Sequence, residues 1–200
     1  MILLFLIASL LLGILCGMSG TQFWLFSLIS GHTDLILYLL MFSVGISVGM
    51  QRGIFSKIKE YHLKISIIPF GIIAGSFLGG ILCSWILSMP VSYGAAIASG
   101  LGWYSLAGVT ISNLIDAQMG SIAFMSNLMR ELFSFFLIPL LAVRLNCYTC
   151  IAPAAATSED TTLPLMLRYT NEETVVLSVL NGMICSFFVP ILISLSLNLF

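Results

Sequence analysis

The chain has 200 residues, a net charge of −1, 60% hydrophobic and only 8% charged side chains, and a mean hydropathy of +1.13, well beyond the apolar share of an ordinary soluble domain. The near-neutral charge argues against a nucleic-acid partner, and long apolar runs with short polar breaks predict an all-α polytopic membrane protein. His32 and His62, the two histidines, both fall in predicted loops, so an intramembrane Ser-His or HExxH enzyme lacks its base or ligand and no enzyme is expected.

A bilayer core takes roughly 20 apolar residues as helix. On that ruler there are seven hydrophobic segments, about 2–18, 34–51, 65–87, 92–114, 119–143, 150–167 and 174–198, of which five to seven cross. The first lacks a basic leader and has Leu15 before Cys16, where a signal cleavage site needs a small residue, so it reads as a retained helix. The second begins near Asp34, a helix cap. Between the second and third, Arg52, Lys57, Lys59 and Lys64 face only Glu60 in one predicted loop, 52–64, which the positive-inside rule makes cytoplasmic. The N-terminus then lies inside and, with an odd number of crossings, the C-terminus outside.

The fourth segment, "YGAAIASGLGWYSLAGVTISN", is loaded with Gly, Ser and Ala around an aromatic pair, the composition of a broken or re-entrant stretch. Asp116 follows as an interfacial turn residue. The fifth, "QMGSIAFMSNLMRELFSFFLIPLLAV", carries Arg130 and Glu131 near its middle, where an ionised group costs at least ~2.5 kcal/mol. Helical spacing aligns Ala123, Asn127, Arg130 and Ser134, with Glu131 at the edge, in a polar stripe about 80° wide that must face protein or a cavity. Arg130 and Glu131 point roughly 100° apart and do not satisfy one another. Arg130 therefore needs a partner elsewhere, with Asp160 or Glu159 the obvious supply, either as an ion pair locking two helices or with Arg130 touching substrate. Arg144 reads as an interfacial anchor.

Cys147 and Cys150 form a lone CxxC without a second ligand pair, while Cys16, Cys83 and Cys185 sit in apolar runs as small hydrophobes, so neither metal nor cofactor is called for. The sixth segment contains "PAAATSEDTTLP", two adjacent acids and four hydroxyls between prolines, with apolar flanks too greasy for a free loop. "TSED" fits a capping box, with Thr157 as cap and Asp160 as the reciprocating acid, so a half-helix is expected to start there. Such starts line binding sites in transporters built from discontinuous helices. A carboxylate among hydroxyls suits exchange of a proton for a cationic substrate. Two adjacent acids in low dielectric do not both ionise cheaply, so one is expected to be protonated or to face solvent.

Four stretches in order, "ASGLGWYSLAGV" (98–109), "SNLMRELFSFFLIPLLA" (126–142), "ATSEDTTLPLMLRYT" (156–170) and "NGMICSFFVPILISL" (181–195), with "LLMFSVGISVGMQRG" (39–53), resemble the LysO-type lysine exporters over nearly the whole chain. The resemblance implies a bacterial inner-membrane exporter of L-lysine or a related cationic amino acid, driven by proton antiport through an intramembrane acid, here Asp160. Glu159 departs from the pattern, standing where an apolar residue such as methionine is expected. Residues 1–200 read as a single transporter domain. Single-chain members of the family carry roughly a hundred further N-terminal residues, enough for several spans; the family is also known in split form, so a small hydrophobic partner chain is expected to supply that half and a second acid.

On this reading Asp160, with Glu159, holds the substrate's ammonium group or the exchanged proton. Arg130 or the start of the half-helix receives its carboxylate. Trp103 and Tyr104 either pack at a helix break or lie along the substrate's stem, and Glu131, Asn127, Ser105, Thr157, Ser158, Thr161 and Thr162 complete the polar lining. The alternatives are a sodium-coupled carrier of organic anions, with Arg130 on the substrate and the 157–162 hydroxyls on the ion, and a non-transporting membrane subunit or sensor.

Overall fold

The structure, a computed structural model, describes residues 54–199 continuously, with side chains from residue 66, and only scattered positions before residue 54. The predicted segments 2–18 and 34–51 therefore lie largely outside the described residues, as do Asp34 and the basic side chains of 52–64. The chain divides into two compact units, Met1–Ile46 and Ser47–Phe200, and every element below lies in the second.

Its helices are α1 (Ile54–Leu87), α2 (Val91–Ala98), α3 (Tyr104–Leu114), α4 (Ala117–Arg144), α5 (Ile151–Ala154), α6 (Leu163–Tyr169) and α7 (Glu172–Leu199), with 3-10 turns at Tyr148–Cys150 and Ala155–Glu159 on either side of α5. Three stretches are long and apolar enough to cross a membrane among the described residues: Ser66–Leu87, Ala117–Arg144 and Glu172–Leu199. These match the expected spans 65–87, 119–143 and 174–198. The expected loop at 52–64 is corrected. From Ile54 the backbone is already helical, which places Lys57, Lys59, His62 and Lys64 on the first turns of α1 rather than in a loop. Charge interrupts the hydropathy there, but Lys, Glu, Leu and Ile are good or tolerable helix formers, and neither Gly nor Pro intervenes.

Helix α7 is the centre of the unit: 56% of its membrane window is buried, against 17% for α1. On α1 the large apolar side chains Phe70, Leu78, Leu82, Trp85 and Ile86 remain exposed, as a lipid-facing helix requires. Helix α2 folds back on α1 so closely that a Cβ on Gly80 would lie 2.5 Å from the Gly94 carbonyl oxygen, the small-residue contact that lets membrane helices pack without a hydrophobic drive between them. Asp116 caps α4, its carboxylate accepting from the Met119 amide at 2.7 Å, and Arg144 ends the same helix exposed.

Both segments expected to be broken are broken. Helix α2 stops at Ser99, and the chain passes through Leu101 at φ 50° and Gly102 at φ 93° before α3 starts. The second interruption turns on Ala155, at φ 49° and ψ −113°. Leu101 and Ala155 are fully buried non-glycine residues in the left-handed half of the map, a conformation that costs of order 1–3 kcal/mol and persists only where the surroundings impose it. The two breaks are joined directly, the Ala156 amide donating to the Leu101 carbonyl at 3.0 Å.

Candidate functional site

A broken helix inside a membrane leaves carbonyls and amides that lipid does not satisfy, so the protein must. At the first break Asn127 of α4 does so, accepting from the Gly102 amide at 2.8 Å and donating to the carbonyls of Ile97 and Ala123 at 2.9 Å. At the second, the guanidinium of Arg130 donates from Nε to the Pro153 carbonyl (3.2 Å) and from Nη2 to the Ala152 carbonyl (3.1 Å), while Nη1 donates to the Ser76 hydroxyl of α1 (2.8 Å). The Ala155 carbonyl is taken up by Asn181 Nδ2 and the Ser158 hydroxyl, and Ser158 and Ser178 exchange hydroxyl-to-carbonyl bonds at 2.8 Å. Thr157 and Thr162 close the turn by donating to the carbonyls of Ala154 and Thr157, each at 2.9 Å.

These bonds correct two expectations. Arg130 makes no ion pair with Asp160 or Glu159 among the described residues; its partners are the carbonyls at the end of α5, where the helix dipole favours a cation. Thr157 does not cap a half-helix. Its hydroxyl turns back into the 3-10 turn, and the helix that follows, α6, starts only at Leu163, with Thr162 in the cap position and no side-chain cap bond.

The polar stripe of α4 faces protein over most of its length: Ala123, Asn127 and Ser134 are buried, as is Glu131 at its edge, while Arg130 is half-buried. Glu131 is 2% exposed, and its Oε2 has no hydrogen-bond partner among the described residues. The hydroxyl of Thr161 is likewise buried and unpartnered. Thr161, on the turn, lies beside Glu131 of α4, and Asp160 lies near both Glu131 and Tyr104. Asp160 itself is exposed, its carboxylate turned onto the Thr161 amide. Glu159 points the other way: its Oε1 accepts from Ser186 of α7 at 2.9 Å, and its backbone lies so close to Gly182 that a Cβ there would be 2.7 Å from the Glu159 nitrogen. Of the adjacent acids, one thus faces outward and one is held by a hydroxyl.

Among the residues read from sequence, Glu131, Thr161, Asp160 and Tyr104 come together. Arg130 meets a different set, Ser76 and the carbonyls of Ala152 and Pro153. Asn127, Thr157, Ser158 and Thr162 hold backbone. Trp103 precedes α3, Ser105 sits half-buried in its first turn, and the Tyr104 ring meets Phe124 edge-on at 5.2 Å between centroids. Cys150 is core, packed with Ile138, Ala154 and Met166. Ser76, Ser178, Asn181, Gly182 and Ser186 were not anticipated, although the last four recur at helical spacing on α7 and form a polar line that was there to be read. A cavity of about 540 Å³ opens beside Arg130, walled by Ile68, Gly71, Ile72, Gly75 and Ser76 of α1 and by Ala152.

The family model for "Lysine exporter LysO" matches residues 7–197. The chain is 34% identical over 183 residues to "Lysine exporter LysO" of Escherichia coli K12, a match that covers 92% of this chain and 60% of that protein. It is 34% identical over 190 residues to the "Putative lysine exporter" of Haemophilus influenzae Rd, covering 94% of each. No solved structure matches the chain. With spans of membrane length, two interrupted segments joined at their breaks and a match along nearly its whole length, this multi-pass membrane protein belongs to the lysine exporter LysO family.

Proposed function

We propose that the chain exports lysine in exchange for protons, with cation and proton alternating at Glu131 and Asp160. The observation that carries this reading is the pair of buried, unpartnered oxygens, Glu131 Oε2 and Thr161 Oγ1, beside the exposed carboxylate of Asp160. A buried carboxylate oxygen without a donor is costly. A proton removes that cost, and so does an ammonium group, but the two compete for the same oxygens. Occupancy by one at a time couples their fluxes. On this reading Asp160 is the entry, the hydroxyls fix the turn, and Glu131 is the inner acid. The names of the relatives supply lysine as the substrate.

Glu159, tied to Ser186, sits outside this exchange pair and sets the local charge. The basic stretch that opens α1 lies on the cytoplasmic side of the bacterial inner membrane by the positive-inside rule, which puts the C-terminus outside. The part of the E. coli relative beyond the matched 60% is, on the split arrangement, the contribution of a small hydrophobic partner chain.

Substrate competition tests the reading. Efflux of labelled lysine from vesicles carrying the chain, with and without the partner, should be inhibited by cationic amino acids and ignore dicarboxylates. Inhibition by dicarboxylates, with sodium dependence, would favour the organic-anion carrier instead. Absence of flux from folded protein in both preparations would leave the non-transporting subunit.

A further inference from the structure

Among the described residues nothing neutralises the charge of Arg130. Its three described bonds go to a hydroxyl and two carbonyls, all uncharged, and they use three of a guanidinium's five N–H donors. Arg130 is the fourteenth residue of the 28-residue helix Ala117–Arg144. At 1.5 Å per residue it lies about 20 Å from either end, and lipid headgroups begin about 15 Å from the bilayer centre. A lipid phosphate therefore does not reach it, and an anion that meets it from outside the chain is a solute.

The surroundings have the form of a site. The guanidinium and the Ser76 hydroxyl are the polar side chains lining the cavity of about 540 Å³, whose other walls are glycine, alanine and isoleucine. That volume is in the usual range for small-ligand pockets, which pair apolar walls with a few fixed polar groups. Gly71 and Gly75 leave the cavity clear, with nothing within 4 Å of where a side chain would begin. The backbone bonds to Ala152 and Pro153 fix the plane of the guanidinium before any ligand arrives, and a fixed planar fork matches a carboxylate.

We propose that Arg130 and Ser76 form a carboxylate subsite that takes the α-carboxylate of the transported amino acid, so that the protein selects amino acids over the corresponding diamines. This rests on the export reading for the identity of the ligand. Arg130 and Glu131 are neighbours on one helix, Arg130 against the carbonyls of Ala152 and Pro153 and Glu131 beside Thr161, so an amino acid with an additional ammonium group is the ligand that uses both. The short helix α6 is no rival: it has seven residues and a proline in its first turn.

The test uses lysine and 1,5-diaminopentane, which keeps both ammonium ends and lacks the carboxylate. Binding is measured on the purified full chain by competition against labelled lysine, and flux separately in vesicles. A charge-assisted hydrogen-bond pair gives wild type a preference for lysine of roughly 10–100-fold. Arg130→Gln should abolish that preference by weakening lysine and leaving the diamine unchanged, and Arg130→Lys should keep part of it. Because Arg130 also holds backbone, Gly75→Leu provides a second arm: it fills the cavity from the opposite wall without removing any bond, and should weaken lysine more than the diamine. Equal loss for both ligands in both variants, or an unchanged preference in Arg130→Gln, would make Arg130 a backbone clamp alone and overturn the subsite. An Arg130-dependent preference without flux keeps the subsite and removes export. Flux with no such preference does the reverse, and a folded wild type that does not bind lysine overturns both.

Discussion

Replacing Asn127 by Ala separates a residue that holds the fold from one that holds substrate. Asn127 is 3% exposed and makes three bonds, to Gly102, Ile97 and Ala123. The Ala123 carbonyl lies four residues back in a continuous helix and keeps its helical partner, and the Ile97 carbonyl keeps the Gly100 amide at 3.2 Å, so the truncation orphans one group, the Gly102 amide at the first break. A buried unsatisfied group costs about 1–3 kcal/mol. Chains unfolded within a membrane find other partners, which moves the expectation to the lower end, about 1 kcal/mol. Unfolding of the purified protein in mixed micelles of rising SDS content should show that loss, while the fraction still folded should bind lysine with half-saturation unchanged. An Asn127→Ala variant as stable as wild type, or one of normal stability whose half-saturation rises tenfold, would refute the clamp and return Asn127 to the substrate.

Ala155→Gly should stabilise the protein by up to about 1 kcal/mol in the same titration, because φ 49° and ψ −113° suit glycine and strain alanine, with the lost methyl offsetting part of the gain; Ala155→Val should destabilise it. Gly182→Ala puts a Cβ 2.5 Å from that of Glu159, and overpacking of this kind costs about 1–3 kcal/mol. As it pushes on the turn that carries Asp160, lysine flux should fall as well, and thermal unfolding with flux per folded molecule checks both. Alkaline phosphatase fused after Phe200 should be active in intact cells and a fluorescent protein dark there; the opposite pattern would invert the orientation drawn from the basic stretch.

The three long spans were readable because continuous apolar runs of membrane length have few other uses. The two interruptions were readable from glycine, serine and proline in runs otherwise long enough to cross. What escaped was the bonding that makes interruption tolerable. Nothing in "MREL" says that the arginine meets the carbonyls of Ala152 and Pro153, since that depends on where α5 ends in space. A general signal did exist: a helix stopped inside a membrane must export its last carbonyls to some donor, and Arg130 was the strongest donor at that depth. "TSED" misled for a local reason, as Thr157 found the Ala154 carbonyl three residues back, a competition that threonine hydroxyls commonly win outside regular helix. In the candidate site, the stripe of α4 was visible as helical periodicity and the acid at 160 as a motif, but the facing of Glu131 and Thr161 was not, because it joins residues thirty apart on different elements.

The most direct test of the proposed exchange is lysine counterflow in proteoliposomes under an imposed pH gradient, comparing wild type with Glu131→Gln and Asp160→Asn, each shown to be folded. The account predicts lysine movement driven by the gradient in wild type and lost in both isosteric variants, since each removes an ionisable oxygen from the place where proton and cation alternate. Gradient-driven flux that survives both substitutions, or wild-type flux indifferent to the gradient, would contradict it.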